Sequence, residues 1–310
     1  MHLRKLYINL RVFYTINKRI LCFPREKKFR NIQLLILSLP RKMKKHLYIF
    51  IFLIFTSCSK YQKVLKSDDF SYKFTKAVEY YQNEEFNKAL PIFDELRTIM
   101  LGKEKMEEVS YYFAYSHYST GDLISAAYLF DLFSNNYPNS KYVEECAFMS
   151  AYCYYLLAPD YSLDATNNYK GINALQNFVN YFPYSDRTDE CNKYIDELRK
   201  KLALKAFSNA KQYFTTQHYK SALVALDNVL IDFPSTNNRE EIQYLIVKSS
   251  YLLAINSISK KIEERLNNTL DAYEQFKDNY SKSEYLKELD EINEKTISKL
   301  NNIKINKNEI

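Results

Sequence analysis

The chain holds 310 residues with 44 Lys and Arg against 37 Asp and Glu, but its net +7 is local: residues 1–57 carry 13 basic side chains and one acidic one, Glu26. The remaining 31 basic and 36 acidic side chains leave a net charge of −5, which gives no support for nucleic-acid binding, since that wants a basic face on the folded part. Three Gly, seven Pro, no Trp and 29 Tyr favour an all-helical chain and leave neither Gly-rich strand turns nor a phosphate-cradling loop.

Residues 1–42 are rich in Arg and Lys, with an apolar run from Ile32 to Leu39 that ends at Pro40. A compact export signal follows at 43–57: Lys44-Lys45, a nine-residue apolar run from Leu47 to Phe55, then Thr56-Ser57 directly before Cys58. The run is far shorter than the roughly 20 residues that span a bilayer. A cysteine after small polar residues is where a lipoprotein is cut and acylated. Cys58 is therefore the expected lipidation site, although Phe55 stands where Leu is usual. Counted from Met1 the signal would be unusually long, so Met43 reads as the start and 1–42 as an over-extended gene model; a genuine basic leader is the alternative.

After a linker at 58–70, self-similarity organises residues 71–298, with a polar tail at 299–310. Three segments align on a proline: Tyr137-Pro138-Asn139-Ser140, Phe182-Pro183-Tyr184-Ser185 and Phe233-Pro234-Ser235-Thr236. Twelve residues before each stands a small residue (Ala126, Gly171, Ala222), eight before a large apolar one (Phe130, Leu175, Leu226), and five before Phe133, Phe178 or Val229. These offsets share one helical face. The proline stops the helix. The following hydroxyl is placed to cap the next helix, whose first turns carry Glu144-Glu145, Asp189-Glu190 or Glu240-Glu241 at the favourable dipole end. Weaker copies bracket these: Ala89, Phe93, Leu96 and Met100 before them, and Tyr273, Phe276, Tyr280 and Ser283 after, with Ser281 in the proline's place. The third copy contains a long connection over residues 160–169. The expected fold is all-α, a superhelical array of about five helix-turn-helix repeats.

No hydrolase, phosphate-loop or metal-ligand pattern surrounds His117 or His218, so a non-enzymatic protein without cofactor or metal is expected. Cys146, Cys153 and Cys191 sit in helical apolar patterns and read as buried thiols, with one disulfide also compatible with export. Tyrosine crowds the first three repeats. Tyr80, Tyr81, Tyr111, Tyr115 and Tyr118 are candidates to line a groove for an extended or helical peptide, with core packing as the plainer role for most of them.

The repeat resembles the tetratricopeptide repeat. Ala114, Gly121, Ala126, Phe130 and Pro138 stand in that family's spacing, while the small-residue positions lie 37, 45, 51 and 47 apart, longer than the usual ~34 residues. A lipidated chain of five elongated repeats is in turn similar to the BamD type of outer-membrane assembly subunit, over about residues 58–285. The stretch Asp196 to Ala203, then Ala210, Tyr213, Tyr219, Ala222 and Asp232 to Thr236 carries this likeness. Ala254 to Ser257 with Lys261, Glu263, Glu264 and Arg265 looks like the version of Bacteroidetes-type bacteria. The resemblance implies an outer-membrane protein on the periplasmic face, held in the membrane through Cys58. Its partners would be a BamA-type barrel and unfolded β-barrel substrates, with no nucleic acid. It implies substrate capture by the first repeats and partner docking by the last, around Arg239, Lys261, Glu263, Glu264 and Arg265. Another periplasmic repeat lipoprotein scaffold, such as a modulator of cell-wall enzymes, is the alternative.

Stable anchoring takes two or more acyl chains. Cys58→Ala is therefore expected to release the chain from membranes, and intact-mass analysis of the parent should find acyl mass at Cys58; an unmodified Cys58 would overturn the signal reading.

Overall fold

The computed structural model describes residues 60–100, 102 and 105–308, so the basic leader, the export signal and Cys58 lie outside the described residues. The chain divides into two compact units between Lys76 and Ala77. In the first, residues 60–65 form a helical turn, and the Asp69 carboxylate accepts the Tyr72 amide at 3.0 Å, a cap that opens the following helix α1 (Phe70–Gln82).

The second unit takes the remainder of α1 from Ala77 and continues through α2 (Phe86–Ile99), α3 (Met106–Ser119), α4 (Leu123–Asn136), α5 (Val143–Leu157), α6 (Thr166–Tyr181), α7 (Thr188–Thr215), α8 (Tyr219–Asp232), α9 (Arg239–Ile255), α10 (Ser259–Asn279) and α11 (Leu286–Asn308). From α2 onward each helix packs on the next in sequence, and α7 also touches α9, as α9 does α11. The described residues are an all-α array of helix-turn-helix repeats of tetratricopeptide type, in which α3, α5, α7, α9 and α11 are first helices and the even-numbered ones second helices. No described helix is long and apolar enough to cross a membrane.

The repeat register is realised in the core. Ala126, Phe130, Leu175, Ala222 and Leu226 are wholly shielded from solvent, as are Ala89, Phe93 and Leu96 in the first copy and Thr269 and Phe276 in the last. The small residue at the head of the pattern is a packing requirement. A methyl on Gly171 would stand 2.9 Å from the Leu198 side chain of α7 and in ordinary contact, 3.5 Å, with the α5 backbone at Tyr154, so the Leu198 side chain would have to shift to admit it.

Two kinds of turn alternate. Between α1 and α2, α3 and α4, and α7 and α8 the chain passes through one left-handed residue: Glu84 (φ 59°), Gly121 (φ 81°) and Gln217 (φ 62°). Only Gly121 meets that conformation without a Cβ penalty. Between repeats the aromatic residue ends the second helix with φ near −130°, at Tyr137, Phe182, Phe233 and Tyr280 alike, and its carbonyl accepts the amide three residues on, from Ser140, Ser185, Thr236 and Ser283. The turn at Tyr280 forms without proline, so the aromatic end-residue and its backbone bond suffice to close the helix.

Four boundaries differ from the sequence expectation. The hydroxyls after the proline do not cap the next helix; they accept the amide two residues on (Tyr142 at 3.0 Å, Arg187 at 3.1 Å, Asn238 at 3.4 Å), ordering the turn one step before the helix starts. The long connection is shorter, residues 158–165, because Asp164 accepts the Thr166 amide at 2.9 Å and starts α6 there. The linker at 58–70 holds the 60–65 turn, and α11 runs through the expected polar tail with Leu300 buried.

The register gives a direct stability contrast. Ala222→Phe must overpack a site with no free volume and should cost roughly 1–3 kcal/mol, lowering the melting temperature, whereas Lys220→Ala at the exposed start of α8 should change it little. Equal shifts in thermal unfolding would contradict the register.

Candidate functional site

The aromatic residues singled out from sequence lie on α1 and α3, half-buried. Tyr81 meets Tyr112 edge-on at 5.0 Å, Tyr112 meets Tyr111 at 5.5 Å, and Tyr111 lies 4.8 Å from Tyr115. Tyr115 then meets Tyr118 at 6.5 Å and packs on Phe130 of α4 at 4.9 Å. Tyr80 takes the Lys88 ammonium over its ring at 5.5 Å.

Further tyrosines form rungs between first helices, joining α3 to α5, α5 to α7 and α9 to α11, while the Lys211–Glu241 ion pair at 2.5 Å joins α7 to α9. The Tyr115 hydroxyl donates to Glu145 of α5, the Tyr155 hydroxyl to Glu197 of α7 at 2.5 Å, and the Tyr244 hydroxyl to Glu288 of α11 at 2.6 Å. Two further bonds run the other way: Ser140 donates to Glu107 at 2.5 Å and Ser185 to Glu144 at 2.6 Å. The acidic first turns therefore do more than face a helix dipole; they receive hydroxyls from the neighbouring repeat. The hydrogen bond to Glu197 foremost, then burial, pushes the Tyr155 phenol up to about 12, and burial with Glu145 pushes Tyr115 well above the usual phenol range. Both phenols remain donors at any physiological pH.

A ring-stacking rung escaped the sequence reading. Tyr142 lies 4.4 Å from Tyr111, the Arg187 guanidinium 4.5 Å over Phe148, and Tyr285 4.2 Å from Tyr244. Each of these planar groups stands four residues after the repeat's proline or its Ser281 substitute, so the same proline alignment held the signal. Tyr194 of α7, stacked at 4.2 Å on Tyr155, was missed with them.

The proposed partner residues do not form one patch. Arg239 opens α9 and donates to the Pro234 carbonyl at 3.0 Å. Lys261, Glu263, Glu264 and Arg265 lie beyond the opposite end of that helix, whose 17 residues separate the two positions by about 24 Å. Arg265 donates to the Ser257 hydroxyl and ties down the turn between α9 and α10, while Lys261 and Glu264 are exposed and Glu263 half-buried. Elsewhere, Cys146, Cys153 and Cys191 are buried free thiols; burial pushes Cys153 up to about 12 and Cys191 to about 11, which keeps them unreactive. Cys146 and Cys191 fill the core position eight after the proline that Ile242 fills in the next repeat.

The fold and this site define an all-α protein built of tetratricopeptide-type helical repeats. The chain belongs to the family of outer membrane lipoproteins named YfiO, whose model matches residues 67–266. It is similar to a provisionally named outer membrane protein assembly factor BamD of Aquifex aeolicus, at 26% identity over 64% of this chain and 65% of that protein. It is also similar to the outer membrane protein assembly factor BamD of Rickettsia prowazekii, at 20% identity over 57% of this chain and 71% of that one. The chain thus spans about two thirds of the curated relatives it matches. A solved P58(IPK) tetratricopeptide-repeat domain matches with a TM-score of 0.36 and 12% identity, over 88% of this chain and 74% of that one.

The rung at Glu288 makes a pH prediction. Lys248, 2.8 Å away, and then the Tyr244 hydroxyl hold this carboxyl below the ordinary glutamate range. A depressed folded pKa stabilises above the unfolded value and loses that contribution as pH falls through the folded one. Lys248→Met should therefore be less stable than the parent at neutral pH, with the gap closing in denaturant titrations carried down to about pH 3. A gap that persists at low pH would contradict the assignment.

Proposed function

We propose that this chain is a scaffold subunit of an outer-membrane β-barrel assembly machinery, held by acylated Cys58 on the periplasmic face. The observation that carries this reading is the outer membrane lipoprotein family match, which covers residues 67–266 and so most of the repeat array. The names of the two relatives support the assembly role. In this reading unfolded β-barrel substrates bind along the tyrosine row of α1 and α3, at Tyr80, Tyr81, Tyr111, Tyr115 and Tyr118, where half-buried rings offer apolar area at little entropy cost. A BamA-type barrel docks at the last repeats. The exposed Lys261 and Glu264 are the charged contacts there with half-buried Glu263 beside them, Arg239 is a separate outlying contact, and Arg265 shapes the turn that presents them.

Reversing charge at Lys261 is expected to weaken binding of the barrel partner's soluble domains while leaving binding of a C-terminal barrel-substrate peptide unchanged, because rim charges act locally. Tyr81→Ala with Tyr118→Ala should do the reverse. Titration of both ligands against both variants decides it: loss of peptide binding on Lys261 reversal with the barrel contact intact would overturn the division, and failure of the barrel to co-purify from solubilised membranes would overturn the assembly role.

A further inference from the structure

The face of α5 turned away from the rungs is the floor of a groove. At about 3.6 residues per turn Val143, Ala147, Ser150 and Tyr154 fall on one stripe of this helix, about 150° from Glu145, Tyr152 and Tyr155. Helices α4 and α6 flank the stripe, and the space between them measures about 640 Å³. Small side chains keep the floor low. Ala147 and Ala174 line it from α5 and α6, and Ser150 turns its hydroxyl onto the Ala127 carbonyl of α4 at 2.9 Å.

The repeat alignment shows what closes the equivalent space elsewhere. Ala147 stands nine residues after Pro138, and Tyr181 two before Pro183; at the same offsets around α9 stand Gln243 and Asn279. There the Asn279 carboxamide donates to that of Gln243 at 3.2 Å and bridges the space over α9. Over α5 a methyl replaces the one partner, and Tyr181, 79% exposed at the rim, replaces the other. An aromatic ring left open beside a recess of small side chains offers contact area that the fold itself does not cover.

The rim is polar. Exposed Asn135 and Asn177 offer carboxamides, each both donor and acceptor. Burial first, then the Asp131 charge, holds the Tyr154 phenol above its usual range, so it remains a donor. Among the described residues that line the groove Asp131 alone carries a formal charge, and it accepts from the Asn135 amide group at 3.2 Å. The floor from Val143 to Tyr154 runs about 16 Å, the length of about five extended residues. A helix that long, about 10–12 Å across with its side chains, needs about twice the volume present. We propose that this groove binds an extended segment of a partner protein, about five residues long, with small apolar side chains on the floor and one Lys or Arg at Asp131. The carboxamides on either side pair with its main chain, and the shallow floor rejects large side chains. The groove lies across α5 from the tyrosine rungs, so the inference goes beyond the assembly role and stands without it.

The test is a phage-displayed library of linear heptapeptides panned on the purified full chain in detergent. Ala147→Gln, which gives α5 the residue that fills the space over α9, serves as the subtracting variant. The retained sequences should share one Lys or Arg among small side chains. A fluorescein-labelled peptide of that sequence is then titrated by fluorescence anisotropy. It should bind Ala147→Gln at least tenfold more weakly than the parent, and Asp131→Asn roughly threefold more weakly, the loss expected of one exposed charge pair. Lys220→Ala, on α8, should bind it as the parent does. Should Ala147→Gln melt well below the parent, Asn177→Arg, a like charge on the exposed rim, takes its place. No shared sequence, a shared sequence without a basic residue, or equal binding to the filled variant would overturn the groove. Weaker binding to Tyr81→Ala with Tyr118→Ala would also overturn it, since the peptide would then lie on the tyrosine row. Self-association of the chain that Ala147→Gln abolishes would do the same, with a second copy as the occupant.

Discussion

An array of helix pairs has no single core, so each pair must bury its apolar stripe against its neighbours, and stability rests on repeat-to-repeat contact. In this chain that contact has two layers. Below, the small residue at the head of each second-helix pattern is buried, and at Gly171 an added methyl would crowd Leu198 of α7. Above, hydroxyl–carboxylate rungs and stacked rings tie α3 to α5 through Tyr115 and Glu145, α5 to α7 through Tyr155 and Glu197, and α9 to α11 through Tyr244 and Glu288. A hydrogen bond to a charged acceptor contributes about 1.5–3 kcal/mol where it is shielded and less where water competes, so the Tyr115 bond counts for more than the exposed ones. Rungs also fix register, because a hydroxyl set one turn away cannot reach its carboxylate.

The lower layer was legible in sequence and the upper one was not. Apolar periodicity counts residues along one chain, and the pattern from Ala126 to Phe133 predicts burial from spacing alone. A rung pairs two residues 30 or more apart, and no local rule joins Tyr115 to Glu145. The acidic first turns were correctly located, but dipole complementarity accounts for half of their role. The hydroxyl after the proline is the instructive miss: at sequence level a serine before a helix reads as its cap, whereas here the turn places it two residues early, free to order the turn and reach the preceding repeat. The Tyr142, Arg187 and Tyr285 rung was hidden because side chains of different chemical class share one geometric task, laying a flat group on a ring.

The same geometry bears on the candidate binding residues. Tyr111 and Tyr115 are committed to packing between α3 and α5 as much as they are offered to a ligand, so any groove along the row is held in shape by the contacts that hold the repeats together. Preorganised rings of this kind lose little entropy on binding. At the other end the structure divides the charged tract: Arg265 shapes a turn, Arg239 closes another, and Lys261 and Glu264 remain at the surface.

The most direct measurement is a double-mutant cycle on the rung itself, with Tyr115→Phe, Glu145→Gln and the pair, each unfolded in denaturant. Coupled rungs should give an interaction energy of about 0.5–3 kcal/mol, appearing as a double variant less destabilised than the two single changes summed. Additivity within about 0.3 kcal/mol would mean that the phenol and the carboxylate do not hold the repeats together, and that packing at the small-residue positions does so alone.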